Sequence, residues 1–359
     1  MGGEQAITYM MGTHNPPEDA STKVEMNVED PKTKKEKYGP VVLYHAGCWD
    51  GYVAAWLLRR GLLTEHTSQI IDEMDFIPVR HGEPVPEEAK NKNRRLYILD
   101  FSYSQDVLRE LAEGRNSTVV AMTVLDHHKT FYETSVALSA LPFCHFIYSE
   151  RLSGAGMVWE YLPNRQPLLR LEMKWLEAEM LMRYAQDRDL WQFSMVYSRE
   201  INAYIRSFKF DFEVCDMLAT ELAVAFRINS VTPETTAAAL RESMYAQGAA
   251  ILRETDKIAA SQASHAKEVN FFRHKMFVVN NTTYISETLE KIYTHCCDDI
   301  AASYFISSTN RVHFSLRSAP HGPDVSEIAK AMGGGGHACA AGFETTIKGL
   351  RKILKGQLA

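Results

Sequence analysis

Val41 to Trp56 reads VVLYHAGCWDGYVAAW, an apolar run that breaks at His45 and, past Asp50 and Gly51, gives way to a second apolar run at helical spacing. Four apolar residues in succession, then a helix-forming pattern, describe a strand covered on both faces that hands over to a crossover helix. Gly51 is expected to let the chain turn tightly between the two. The same texture recurs in RRLYILDFS, SQDVLRELAEG and STVVAMTVLDHH. Short β-rich runs alternating with helices predict an α/β domain with a doubly wound parallel sheet.

Each of the three apolar runs ends on a group that can bind a metal: VVLY at His45, LYIL at Asp100, and MTVL at Asp126, His127 and His128. Ligands of an open parallel sheet bind beyond the carboxyl ends of its strands, so these groups converge if the strands are neighbours. A single Asp after a strand is commonly a turn or capping residue. Three strand ends together, one carrying Asp-His-His, point instead to a metal site. Carboxylate and imidazole without cysteine thiolate favour a fairly hard ion such as Mn²⁺ over a structural zinc, in one or two sites, and Mg²⁺ is compatible as well.

The 359 residues are long enough for two cores, and 45% apolar with 23% charged residues describes an ordinary folded protein. A net charge of −6 argues against a large basic surface for long duplex nucleic acid, which would need many Lys and Arg contacts. The six cysteines form no CxxC pair and are expected to be reduced, with Cys296 and Cys297 in a helix. No run approaches the roughly 20 apolar residues of a membrane span, and the start lacks a secretory pattern, so a cytoplasmic location is expected.

Residues 1–39 are rich in Pro, Glu, Lys and Thr and are expected to be a flexible tail, its Lys32, Lys34, Lys35 and Lys37 a solvated charge run. A catalytic domain over 40–200, a helical connector over 201–267 and a smaller α/β domain over 268–359 complete the expected organisation. Leu168 to Arg188 reads as helical, as does Thr232 to Ala263, with Thr232 as N-cap and Pro233 in the first turn. SGAGMVW, from Ser153, has too little of a dinucleotide fingerprint and is expected to start a packed helix. His145, His265, His274, His295 and His313 have no partner at ligand spacing.

Near the C-terminus, GGGGHACAAGF, Gly333 to Phe343, offers backbone N–H groups to an anion at what reads as a helix start. Gly333 alone would serve as the cap of the preceding helix, whose start carries Asp324 and Glu327 in a capping-box pattern. Arg317, ending RVHFSLRS, is a candidate phosphate clamp.

LDHHKT, Leu125 to Thr130, resembles the signature of the DHH phosphoesterase superfamily, and the glycine run resembles the motif of its partner domain, DHHA1. The resemblance covers Val41 to the C-terminus and is nearest to the nanoRNase and oligoribonuclease-like branch. It implies that His45, Asp50 and Asp100 bind one metal, and that Asp100 bridges to a second held by His127 and Asp187, with Asp189 in reserve. It implies that His128 faces the phosphate, that Asp126 orients the histidines, and that Arg317, Gly334, Gly335, Gly336 and His337 bind substrate. Many members carry a second Asp two residues after the first, where this chain has Tyr52, which would leave the second site one ligand short. The implied activity is metal-dependent hydrolysis of short oligonucleotides or small nucleotide phosphoesters between the domains. Alternatives are a cyclic (di)nucleotide phosphodiesterase and a degenerate module that binds RNA or a protein complex. A homodimer is compatible with the sequence.

Overall fold

In the computed structural model, residues 39–63, 73–90, 93–113, 119–226, 233–296 and 299–357 are described. The expected tail, its lysine run, Thr232 and Cys297 lie outside them. Strands β1 (Val41–His45), β2 (Asp75–Val79), β3 (Arg94–Leu99), β4 (Val119–Asp126) and β5 (Cys144–Tyr148) form one sheet in the order β2-β1-β3-β4-β5. All four pairings are parallel. Successive side chains of a strand face opposite ways, and here each side meets its own core. Val42, Tyr44, Tyr97, Leu99 and Leu125 pack with Trp56, Leu57 and Tyr184 on one face. Val41, Leu43, Ile98 and Val124 pack with Leu108 and Phe131 on the other. Two buried faces explain why these strands are apolar throughout instead of alternating.

The strand order reverses direction between β1 and β3, which opens a crevice beyond their carboxyl ends. Strand β2, DFIPV, is only partly buried and lies at the sheet edge, where Pro78 costs no ladder hydrogen bond.

A second sheet is built from β6 (Lys267–Phe271), β7 (His274–Asn280), β8 (Ile300–Ile306), β9 (Arg311–Arg317), β10 (Gly335–His337) and β11 (Ala340–Thr346), in the order β10-β11-β9-β8-β7-β6. Only β7 and β8 run parallel. Its core joins Phe271, Met276, Phe314, Leu316 and Phe343 to Val325, Leu350 and Ile353. Helices Ser198–Arg206, Phe212–Phe226 and Glu234–Ala263 lie between the sheets in sequence. The described residues fall in one compact unit. No helix among the described residues is long and apolar enough to cross a membrane.

Four expectations change. Leu168 to Arg188 is not one helix but a 3-10 turn (Pro167–Leu171) and two helices (Met173–Glu177 and Glu179–Asp189). Leu168 and Leu171 face solvent, so the apolar period was broken there, while Leu169 and Trp175 are buried. The boundary at 200/201 falls inside the helix Ser198–Arg206, and Cys296 lies just beyond the end of the helix Ile285–Tyr293. Most consequentially, the glycine run does not start a helix: Gly335–His337 and Ala340–Thr346 pair as an antiparallel hairpin.

Candidate active site

Four parallel strands end together, and residues at or just past their ends line one cavity of about 860 Å³: His45 at the end of β1, His81 two residues past β2, Asp100 after β3, and His127 and His128 after β4. The second sheet faces them across it with Arg317, Gly335, Gly336 and His337.

Asp100 is the centre. It is 1% exposed, with His45 Nδ1 3.4 Å from one carboxylate oxygen and His127 Nε2 3.1 Å from the other. Its backbone is left-handed, with φ of 63°, and its N–H donates to the Leu125 carbonyl of the neighbouring strand at 2.9 Å. Such a conformation costs a non-glycine residue energy and persists where the surroundings impose it. Neither carboxylate oxygen accepts a hydrogen bond of good geometry, although both are buried. Burial opposes its ionisation, but His127 and His45 outweigh it and hold the carboxyl well below its usual range.

Asp50 follows the N-cap of the helix Trp49–Leu62 and is buried. It accepts from Ser153 Oγ at 2.5 Å and from the Ala155 N–H at 3.2 Å. Ser153 is the N-cap of the helix Gly154–Arg165, the packed helix expected from SGAGMVW. Gly51 lies inside its helix, not at a turn: a Cβ there would meet the His45 carbonyl at 2.7 Å, so glycine permits close approach to β1.

Asp187 and its reserve, Asp189, lie in different surroundings. The Asp187 carboxylate accepts from the N–H and hydroxyl of Ser194 at 2.9 and 2.7 Å, from the Met195 N–H at 3.3 Å and from the Ser198 hydroxyl, so its acceptor sites are used in folding the turn that ends its helix. Asp189 lines the cavity, with Oδ2 3.4 Å from His127 Nε2. Two residues later on the helix, it presents the other face. Tyr52, which stands where many members carry a second Asp, packs its ring against Tyr44, Phe210 and Phe212, outside the cavity lining.

Two groups of potential ligand atoms result, each with all atoms within 4.8 Å of one another: His45, Cys48 and Asp100, and Asp50, His127 and Asp189. Three carboxylates crowded at low exposure carry an electrostatic cost. Burial first, then the charges of Asp100 and Asp189, push Asp50 well above the usual carboxylate range, and burial and Asp100 raise Asp189. For His127 burial disfavours the charged ring, yet Asp100, Asp189 and Asp50 raise it to about 10. Buried anionic oxygens without hydrogen-bond donors, ringed by imidazole nitrogens, fit a divalent cation.

His128 differs. Asp126 Oδ1 holds its Nδ1 at 2.7 Å and its N–H at 3.2 Å, so Nε2 is the ring nitrogen left for a ligand. His128 stacks on His337 with centroids 4.6 Å apart, and burial together with His128 and His127 lowers His337 to about 2, a neutral ring. A third close group of ligand atoms, His127, His128 and His337, spans both sheets.

Arg317 donates to the Leu316 carbonyl at 2.9 Å and to Ser286 Oγ at 3.0 Å, and among the described residues no carboxylate lies within ion-pair distance of it. Of the glycines, Gly335 and Gly336 line the cavity, whereas Gly334 packs against the backbone of Gly342 and Phe343 and Gly333 closes the preceding helix at φ of 81°. A Cβ on Gly335 would meet Thr130 Oγ1 at 2.9 Å, and Gly336 has φ of 139°. The run is glycine because the hairpin passes close to the LDHHKT turn. Asp324 caps its helix through the Ser326 N–H at 3.0 Å and binds Lys129 at 2.6 Å, a tie between the two sheets.

His81, which lines the cavity 5.1 Å from the His45 ring and 5.5 Å from the His128 ring, was not apparent from sequence. Burial first, then His128 and His45, lower it to about 4. Its signal was its place after β2, hidden because that strand was not recognised. Arg188, which lines the cavity paired to Glu287 at 2.6 Å, was likewise missed.

Residues 278–356 match the DHHA1 domain family. Over 317 residues the chain is 26% identical to "Uncharacterized protein R106" of Acanthamoeba polyphaga mimivirus, an alignment that covers 86% of this chain and 68% of the viral one. Among solved structures, exonuclease RecJ bound to manganese aligns with 17% identity and a TM-score of 0.44 over 90% of this chain and 89% of that one. The pGpG-specific phosphodiesterase PggH of Vibrio cholerae aligns with 16% identity and a TM-score of 0.38 over 88% and 96%. A DHHA1 domain is thus present over residues 278–356, and the LDHH turn stands at the end of the fourth parallel strand, opposite it across the cavity.

Proposed function

We propose that this protein hydrolyses phosphoester bonds in short oligonucleotides or small nucleotides, with Mn²⁺ or a similar divalent ion held at the edge of the parallel sheet. One observation carries the reading: a single cavity places two clusters of ligand atoms on one wall and, facing them, Arg317 and the backbone of Gly335 and Gly336. Its size, about 860 Å³, suits a small ligand and not a duplex.

A divalent cation supplies neutralisation of phosphate charge and favours attack on phosphorus by water. Asp100 would hold a cation with His45 and reaches His127 of the second group, where Asp50 and Asp189 would hold another, and Ser153 holds Asp50 in place. His128 places Nε2 on the phosphate, with Asp126 fixing the tautomer. Arg317 engages phosphate oxygens through parallel N–H donors, and the neutral His337 donates or accepts beside it. At the cavity mouth Trp49 and Phe210, rings 5.2 Å apart, present aromatic surface to a base. In this reading residues 40–200 are the catalytic part, 201–267 the connector and 268–359 the part that binds substrate.

The cyclic-nucleotide alternative uses the same site and differs only in the shape of its substrate. A degenerate binding module would have lost ligands, and the cavity retains them. Incubation with dinucleotides, short oligonucleotides, cyclic dinucleotides and nucleoside bisphosphates in the presence of Mn²⁺ tests the reading: mononucleotide or phosphate release supports it, and release from none of these substrates overturns it.

A further inference from the structure

We propose that Cys48 is a metal ligand, so that this chain holds two unlike cation sites: a softer one formed by His45, Cys48 and Asp100, and a harder one formed by Asp50, His127 and Asp189. The inference rests on the metal-site reading above and concerns which atoms carry it.

Four observations converge. The Cys48 sulfur and the ligand atoms of His45 and Asp100 all lie within 4.8 Å of one another, at the cavity wall. Asp100 in that group is 1% exposed, with two carboxylate oxygens that accept no hydrogen bond. Asp50, which the family resemblance placed with His45, sits in the other group with His127 and Asp189, so the His45 group holds no carboxylate besides Asp100. Tyr52, where a further ligand was expected, is turned into an aromatic cluster with Phe210 and Phe212. Cys48, two residues before Asp50, therefore supplies the third donor of the His45 group.

The local backbone agrees. Cys48 is the N-cap of the helix Trp49–Leu62, yet its side chain makes no capping hydrogen bond, and its sulfur reaches Asp189 Oδ1 only at 3.9 Å. Binding replaces the thiol proton by the cation: the S–H bond breaks, a sulfur–metal bond forms, and the proton leaves to solvent. One thiolate, one imidazole and one carboxylate favour borderline ions such as Zn²⁺, Co²⁺ or Cd²⁺ over Mg²⁺, whereas the group without sulfur keeps the preference for harder ions.

Titration of the full chain with Co²⁺, followed by absorption, reads the thiolate directly. The expected result is a sulfur-to-cobalt charge-transfer band that is lost in Cys48→Ser and retained in Cys339→Ser, the other cysteine that lines the cavity. Alkylation by iodoacetamide, mapped on the unaltered chain, gives the same answer without a variant: bound Co²⁺ should protect Cys48. Cys48→Asp should shift the site's preference from Cd²⁺ toward Mn²⁺. Stoichiometric Co²⁺ binding with no band and equal alkylation with and without the ion overturns the assignment while leaving the metal-site reading intact. A band that survives in Cys48→Ser and vanishes in Cys339→Ser also overturns it. Failure of the folded chain to bind any of these ions overturns both.

Discussion

The two sheets contribute to the same cavity in different ways. In the parallel sheet all strands run the same way, so one edge gathers side chains from four of the five strand ends: His45, His81, Asp100, His127 and His128. In the second sheet the strands mostly alternate in direction, and only the end of β9 and the edge hairpin reach the cavity, through Arg317, backbone glycine and His337. A parallel edge concentrates many buried charged groups, which suits cations. An antiparallel edge supplies backbone N–H groups and a few long side chains, which suits an anionic ligand. The difference predicts that substitutions on the first edge change metal binding and rate, and that those on the second change substrate affinity.

The largest effect is expected from Asp100→Asn. Loss of the carboxylate shared by both imidazoles should lower kcat about a thousandfold, the equivalent of ~4 kcal/mol, and should weaken Mn²⁺ binding while circular dichroism shows an intact fold. Next, His128→Ala should lower kcat about a hundredfold, the low end for a lost proton-transfer or hydrogen-bonding group, with Mn²⁺ stoichiometry unchanged in calorimetry. Equal loss of metal and rate would move His128 among the ligands.

Asp187 and Asp189 sharpen the comparison within one helix. Asp187→Ala should destabilise the fold by about 2 kcal/mol in urea unfolding, because buried donors lose their acceptor, and should leave metal stoichiometry unaltered. Asp189→Asn should do the reverse. Burial works against ionisation of Asp187, but the Ser198 hydroxyl and the Ser194 donors outweigh it and lower its pKa. A depressed folded value stabilises above the unfolded pKa and is lost as pH falls through the folded one. Asp187→Ala should therefore cost less stability under strongly acidic conditions than at neutral pH. Tyr52→Asp should place a carboxylate among aromatic rings and lower stability by roughly 1–3 kcal/mol, without added metal binding. The smallest effect is expected across the cavity: Arg317→Lys should raise KM about tenfold, ~1.4 kcal/mol, because an ammonium cannot reproduce two parallel hydrogen bonds, with kcat nearly unchanged.

The sequence shows the first edge better than the second for the same physical reason. A strand buried on both faces must be apolar along its length, so the break at His45, Asp100 or Asp126 stands out. Strand β2 escapes this rule: at the sheet edge it tolerates Pro78, and His81 went unnoticed with it. The choice between Asp187 and Asp189 depends on which way a helix presents each residue and on the serines of the next turn, which spacing alone does not fix. The hairpin was read as a helix because GGGG before HACAAGF satisfies helix-start chemistry locally. Its actual cause is the approach of Gly335 to Thr130, 205 positions earlier in the chain. Contacts of that range leave no periodic trace.

The most direct test of the division between the two edges is a calorimetric Mn²⁺ titration of the wild-type chain, Asp100→Asn and Arg317→Lys under identical conditions. Saturable binding in the wild type, retained by Arg317→Lys and lost or sharply weakened in folded Asp100→Asn, is the predicted result. Binding unchanged in Asp100→Asn, or absent from the wild type, would contradict a cation site at the parallel-sheet edge.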